Sequence, residues 1–326
     1  MQITRGRVWF ILEPSAESEV HILHQTHSGS SPAADEPVAL VGSGRCGSTL
    51  LQSILNTNPD FLIWGEHNGF LRDVAAAYYR AVNARFPAKS ELSPETRIGM
   101  LRDSRRWAAW DALVNEAQFL DCFRSFIRAF FADPTGRAIH WGFKEIRYAL
   151  DTRCRALSLM FDCFPRTRLI ILAREPESTI FSILSRWVFG GIPDGNIDPE
   201  QLDQRILELA NSWHAQYLKL HSLSDKYPAN CLLVRYEDLD SPQTYEELSG
   251  FFKTSAFDYK SRLRRVNDAS NKTSPTAALI RQRIEALQPE ITAATLQVRT
   301  AFGYAAQHAP RRAFPVLLGR KMTFPF

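Results

Sequence analysis

The sequence predicts an α/β fold: a central parallel sheet flanked by helices, with a helical insertion. Three observations predict it. Short runs rich in Ile, Leu and Val, each of strand length, alternate with longer segments whose apolar residues recur at helical spacing. The first run, Pro37-Val38-Ala39-Leu40-Val41, passes through a glycine-rich turn straight into a helical pattern. A second run, Thr167 to Ala173, is apolar almost throughout, as a strand covered on both faces must be.

Taken in order, residues 1–36 read as a flexible lead-in to a single domain over 37–326. Their one apolar patch, Val8 to Leu12, is broken by Glu13 and Pro14 too soon for a signal peptide. After the glycine-rich turn, Leu50, Leu51, Ile54 and Leu55 mark a helix that Asn56 to Pro59 ends. Residues from about 66 to 134 are mostly helical and form the predicted insertion. They break at Phe86 to Pro94, restart at Ser93-Pro94-Glu95 and stop at Asp133-Pro134. Ile139 to Phe143 is a short strand and Thr152 to Phe164 a helix closed by Pro165. Pro176 opens the helix after the second apolar strand, at the turn where proline is tolerated. A loop with Gly190, Gly191, Pro193 and Gly195 leads to a long helix over Leu202 to Tyr227. Cys231 to Val234 is a further buried strand, and Pro242 to Phe252 a further helix. Ligands of such sheets sit at the carboxyl ends of the strands.

Composition narrows the function. Hydrophobic residues at 45%, with 21 Phe and 7 Trp, suffice for a sizeable core. A net charge of +4 suits an anionic ligand. The densest basic group, Arg102, Arg105 and Arg106, reads as a solvated helix face, so no nucleic-acid partner is expected. No run of apolar residues is long enough to span a membrane. Five cysteines without CxxC or metal-site spacing argue against a disulfide framework and a metal centre, and a cytoplasmic location is expected.

Gly42-Ser43-Gly44-Arg45-Cys46-Gly47-Ser48-Thr49-Leu50 joins the first strand to the first helix. Glycines there let amide groups turn inward, and the helix points its positive end at the same spot, so the segment reads as a P-loop-like anion site. A nucleoside triphosphatase needs a lysine after the last glycine; Ser48 stands there, and the cation is Arg45. The second strand ends in Arg174 where a kinase wants a carboxylate. Ser182 and Arg186 follow on the next helix, placed to share a second anion pocket with Arg174.

These segments resemble the 3′-phosphoadenosine 5′-phosphosulfate (PAPS)-dependent sulfotransferase family. Arg45-Cys46-Gly47-Ser48-Thr49-Leu50 matches the family's phosphosulfate loop. The resemblance implies that Arg45, Ser48 and Thr49, with the amides of Gly44, Cys46 and Gly47, hold the 5′-phosphosulfate. Leu169 to Arg174 with Ser182 matches its 3′-phosphate motif, and Arg186 resembles a further arginine of the tyrosylprotein branch. Val234-Arg235-Tyr236-Glu237-Asp238-Leu239, followed by Ser241-Pro242, resembles a third segment and implies that Tyr236 lies near the adenine. The resemblance covers about 37–255 and is nearer the bacterial, carbohydrate and tyrosylprotein branches than the cytosolic animal enzymes. It implies PAPS as co-substrate and adenosine 3′,5′-bisphosphate as product, with no metal expected.

Sulfuryl transfer requires a base, cations at the developing charge and an in-line acceptor. The resemblance implies Glu66 as base, in Ile63-Trp64-Gly65-Glu66-His67, with His67 and Glu145 as alternatives. Lys144 and Arg45 would stabilise the transition state, and Lys272, in Asn271-Lys272-Thr273-Ser274, would close over the nucleotide. The acceptor stays open among small molecules, carbohydrates, lipids and peptide tyrosine. Two other readings remain: a P-loop kinase or triphosphatase, and an inactive nucleotide-binding module. Oligomeric state is not legible.

Overall fold

The computed structural model describes residues 37–83, 93–103, 116–151, 153–189, 197–267 and 274–304. The lead-in at 1–36, the loop at 190–196 and Lys272 lie outside these residues. Five strands form one sheet: β1 (Val38–Gly42), β2 (Phe61–Trp64), β3 (His140–Lys144), β4 (Arg168–Ala173) and β5 (Cys231–Arg235). Their order is β2-β3-β1-β4-β5, and every pairing is parallel. All five carboxyl ends therefore lie along one edge.

The helices cover both faces. Alternation along β1 sends Ala39 and Val41 to one face, against α5 (Arg155–Cys163) and α7 (Pro199–Lys226). It sends Val38 and Leu40 to the other, against α1 (Ser48–Leu55) and α8 (Pro242–Phe252). Leu40 is fully buried, so truncating it to alanine would cost about 2–5 kcal/mol. A third apolar cluster seats α6 (Pro176–Ile183) between α7 and the later helices α10 (Pro275–Ala286) and α11 (Gln288–Ala301). A buried ion pair from Arg299 on α11 to Glu177 on α6 fixes that packing.

β2 is absent from the sequence-based expectation. It has four residues and follows directly on the turn that ends α1. Its presence gives the helical segment at 66–134 a definite place. That segment is the crossover that carries the chain from β2 to its parallel neighbour β3. It contains α2 (Leu71–Asn83), α3 (Pro94–Arg102) and α4 (Glu116–Phe131). Another helix, α9 (Tyr259–Asn267), packs against α1. Among the described residues, no helix is long and apolar enough to cross a membrane.

Candidate active site

The turn after β1 is braced from beneath. Tyr217, buried in the middle of α7, accepts from the Ser43 amide at 3.0 Å and donates to the Leu172 carbonyl at 2.8 Å. One phenol thus ties the ends of β1 and β4 to α7. The Cys46 side chain also points down, into the core, and burial pushes its thiol pKa up. Cys46 contributes packing here; its amide is bonded to the Ser43 carbonyl. Ser48 is buried against that thiol, whereas Thr49 is exposed at the start of α1.

Two glycines are required by close approach. Gly47 has φ 93, and a Cβ there would strike the Tyr236 ring. A Cβ on Gly44 would come within 2.6 Å of the Trp187 ring. Gly47 also caps α1 without any side-chain acceptor, and α1 has no acidic residue in its first turn. The positive end of the helix faces the loop unneutralised.

Arg45 adopts the left-handed region, φ 65, at a cost of about 1 kcal/mol. Its neighbours hold it there. Arg45 Nε donates to Ser182 Oγ at 3.1 Å, and Arg174 Nη1 donates to the Arg45 carbonyl at 3.3 Å. Burial first, then Arg186 and Arg174, lower the Arg45 pKa from its ordinary value. Three guanidinium groups thus crowd together, and among the described residues no carboxylate pairs with any of them. Arg174 Nε is buried with no hydrogen-bond partner, and its guanidinium lies 4.4 Å over the Tyr236 ring. Uncompensated like charges with spare donors make an anion site. Tyr236, wedged between Gly47 and Arg174, stands against the glycine-rich loop.

On the other side of β1 the charges are paired. Lys144, at the end of β3, donates to Glu66 Oε1 at 2.5 Å. Arg147 Nη1 bridges Glu66 Oε2 and Glu145 Oε1, each at 3.1 Å. Glu66 keeps 31% of its side chain exposed while Lys144 keeps 7%, so the carboxylate faces the solvent and the ammonium supports it.

Glu145 is fully buried and accepts from the amides of His67 (3.1 Å), Gly69 (2.8 Å) and Arg147 (3.1 Å). Burial alone would raise its pKa; those amides and the His67 ring outweigh burial and lower it. Its work is to fold the loop that carries Glu66. The His67 ring is packed among Phe70, Phe131, Phe143 and Tyr148, with Nε2 2.5 Å from the Tyr148 hydroxyl. Burial keeps its pKa low despite Glu145.

The sheet therefore lines up its side chains in strand order. Glu66 follows β2, Lys144 ends β3, the phosphate loop follows β1, Arg174 follows β4 and Tyr236 follows β5. Neighbouring strands are about 4.8 Å apart, so the end of β2 lies about 10 Å from the end of β1, with β3 and Lys144 between them.

Residues 37–255 match the model of the sulfotransferase family. The chain belongs to that family. No curated protein matches it. Among solved structures it is similar to a sulfotransferase from Alicyclobacillus acidocaldarius, at 14% identity and a TM-score of 0.47, covering 83% of this chain and 96% of that one. It is also similar to the sulfotransferase domain of the Synechococcus olefin synthase, at 18% identity and a TM-score of 0.49, covering 83% and 95%. A mouse sulfotransferase complexed with PAP aligns at 12% identity and a TM-score of 0.43, covering 83% and 89%.

Sequence reasoning missed three contributors to this family site. Arg147 follows Lys144 closely, yet only its contact with Glu66 shows its place. Tyr217 sits mid-helix with no motif around it, and its link to Ser43 spans 174 residues. Trp187, 53% exposed, has its ring on Gly44 and 5.8 Å from the Arg45 guanidinium. A bulky residue beside a cluster arginine was the available signal.

Proposed function

We propose that this chain moves a sulfuryl group from PAPS to a hydroxyl or amine acceptor by direct in-line displacement. The observation that carries the reading is the unpaired cluster of Arg45, Arg174 and Arg186 around Ser182, set on the same sheet edge as the Glu66–Lys144 pair. A nucleotide with a 3′-phosphate supplies a second anion for that cluster, beyond the one the loop takes. Arg174, Ser182 and Arg186 hold the 3′-phosphate. Arg45, Thr49 and the loop amides not already bonded within the protein, those of Gly44 and Gly47, hold the 5′-phosphosulfate.

Glu66, exposed and aimed away from the core, takes the acceptor proton. The freed oxygen pair forms the new bond to sulfur as the bond from sulfur to the bridging phosphate oxygen breaks. That oxygen leaves as part of adenosine 3′,5′-bisphosphate, its charge met by Lys144 and Arg45. Lys144 touches Glu66 and exchanges the carboxylate for the sulfuryl group during transfer, while Arg147 keeps Glu66 in place. Glu145 is engaged by three backbone amides and the His67 ring is packed among aromatic rings, which supports Glu66 as the base.

Calorimetric titration of adenosine 3′,5′-bisphosphate, ADP and ATP with Mg²⁺ tests the reading. Metal-independent binding of the bisphosphate in preference to the others is expected. Preference for ATP with Mg²⁺ would return the loop to a kinase. Bisphosphate binding with no transfer from PAPS to any acceptor would leave an inactive module.

A further inference from the structure

The aromatic layer on one face of the sheet continues past the core into solvent, next to Glu66. Inside, buried Phe143 and Phe131 lie 4.8 Å apart. Outward, Phe131 meets Phe70 at 6.1 Å, and Phe70 meets Phe130 at 5.2 Å and Phe126 at 5.9 Å. Phe126 and Phe130 meet each other at 4.8 Å. The reason lies in the α4 sequence. Phe123, Ile127 and Phe131 form one i,i+4 column, which is buried. Phe126 and Phe130 form the adjoining column, exposed at 38% and 55%. The apolar stripe is one column wider than the core can cover. Trp64, on edge strand β2, is exposed at 42%, and its indole N–H is fixed on the Phe131 carbonyl at 3.0 Å.

This surface and the proposed base share a loop. His67, next to Glu66, packs its ring against Phe70 and Phe131, each at 4.9 Å. Gly65 separates Trp64 from Glu66, and a Cβ at Gly65 would meet nothing within 4 Å. Its backbone is not left-handed, so the turn does not require glycine. At Gly65, between exposed Trp64 and Glu66, there is open room for a larger side chain. Scattered apolar residues on a surface need no explanation; a contiguous group packed on the loop that carries Glu66 does.

We infer that Trp64, Phe70, Phe126 and Phe130 bind the acceptor, and that the acceptor is an apolar alcohol or phenol, aryl or long-alkyl. The inference rests on the sulfuryl-transfer reading above and names its substrate class. A sugar is disfavoured because the phenyl rings offer no hydrogen bonds and the one indole N–H is already engaged. A protonated amine is disfavoured because Lys144 and Arg147 both stand at Glu66. An apolar alcohol loses nothing on these rings and presents its single hydroxyl to the carboxylate.

The test uses the full chain saturated with adenosine 3′,5′-bisphosphate and reads 2-naphthol binding by calorimetry, then transfer from PAPS to 2-naphthol, 1-octanol, glucosamine and a tyrosine peptide. Phe130→Ser and Gly65→Leu are the variants. Phe130 is mostly exposed, and a Cβ at Gly65 meets no other atom within 4 Å, so both variants are expected to fold. The expected result is naphthol binding weakened about tenfold by either variant, as losing part of an aromatic contact gives, with bisphosphate affinity unchanged. Transfer should favour naphthol and octanol. Bisphosphate binding without naphthol binding, or naphthol affinity equal in all three proteins, would overturn the inference and leave the donor reading standing. Preferred transfer to the sugar or peptide, undiminished in Phe130→Ser, would overturn it too. A dimer that Phe130→Ser dissociates, with naphthol affinity unchanged, would assign the rings to a second copy of the chain. Failure of the bisphosphate to bind removes the donor reading, and this inference with it.

Discussion

Replacing Arg174 with alanine separates a ligand-binding arginine from a structural one. In the free protein Arg174 gives one long hydrogen bond to the Arg45 carbonyl, at 3.3 Å, and stacks on Tyr236 at 4.4 Å. Losing these costs about 1 kcal/mol each. Its charge also opposes Arg45, whose pKa it helps to lower, and its Nε is buried without a partner. Removing it relieves both penalties. The opposing changes nearly cancel, and the melting temperature of the free protein should move by no more than about 4 °C. The bound state is different. A phosphate engaged by this guanidinium loses one or two charge-assisted hydrogen bonds, worth about 1.5–3 kcal/mol, so the bisphosphate should bind about ten- to a hundredfold more weakly. Calorimetry and thermal melts with and without the bisphosphate measure both quantities, and the affinity of the native chain should fall with added salt. A clear drop in melting temperature with unchanged bisphosphate affinity would refute the argument and make Arg174 a brace for the loop.

Glu66→Gln should lower kcat for transfer by about 10²- to 10⁴-fold while bisphosphate affinity is kept; normal rates in both this variant and a folded Lys144→Ala would remove the assigned chemistry. Gly47→Ala, at φ 93 and against the Tyr236 ring, should destabilise the protein by about 1–3 kcal/mol in urea unfolding, and Tyr236→Ala in the same chain should recover part of it. A Gly47→Ala protein as stable as the native one would show that the ring can move aside freely. The Glu145 pKa is lower in the folded protein than in the unfolded chain, so its stabilisation is complete above the unfolded value of about 4.3 and fades as pH falls through the folded value. The stability gap between native protein and Glu145→Gln should therefore be constant near neutrality and narrow below about pH 4; a gap independent of pH would mean that the carboxylate charge contributes nothing to the loop.

What the sequence reveals follows the range of the interactions involved. The glycine-rich loop and the Arg174-to-Ser182 spacing are local, set by one strand, one turn and one helix, so the residues the structure brings together there are visible as motifs. β2 was not, because Phe61 to Trp64 is too short to show a period and is defined by its ladder to β3. Without β2 the helical segment that follows has no strand to start from, and the ladder to β3 supplies one. The pairing of Lys144 with Glu66 was anticipated only as two separate roles, since the ion pair joins residues 78 positions apart. The aromatic residues of this crossover repeat too often in sequence to reveal which face water, and burial divides them: Tyr78 and Phe123 lie inside, Phe126 outside.

The strand order has an evolutionary corollary. The unpaired arginines and Tyr236 follow β1, β4 and β5, whereas the exposed carboxylate and the neighbouring aromatic residues belong to β2, β3 and the helices between them. Hydrogen-bonded ladders space these two territories like marks on a ruler. Residues can be added to or lost from the 66–134 crossover without moving the phosphate loop relative to Arg174, because β1 and β4 pair directly. Selection can therefore remodel one territory while the other stays in register, so divergence among descendants of this chain should concentrate between β2 and β3.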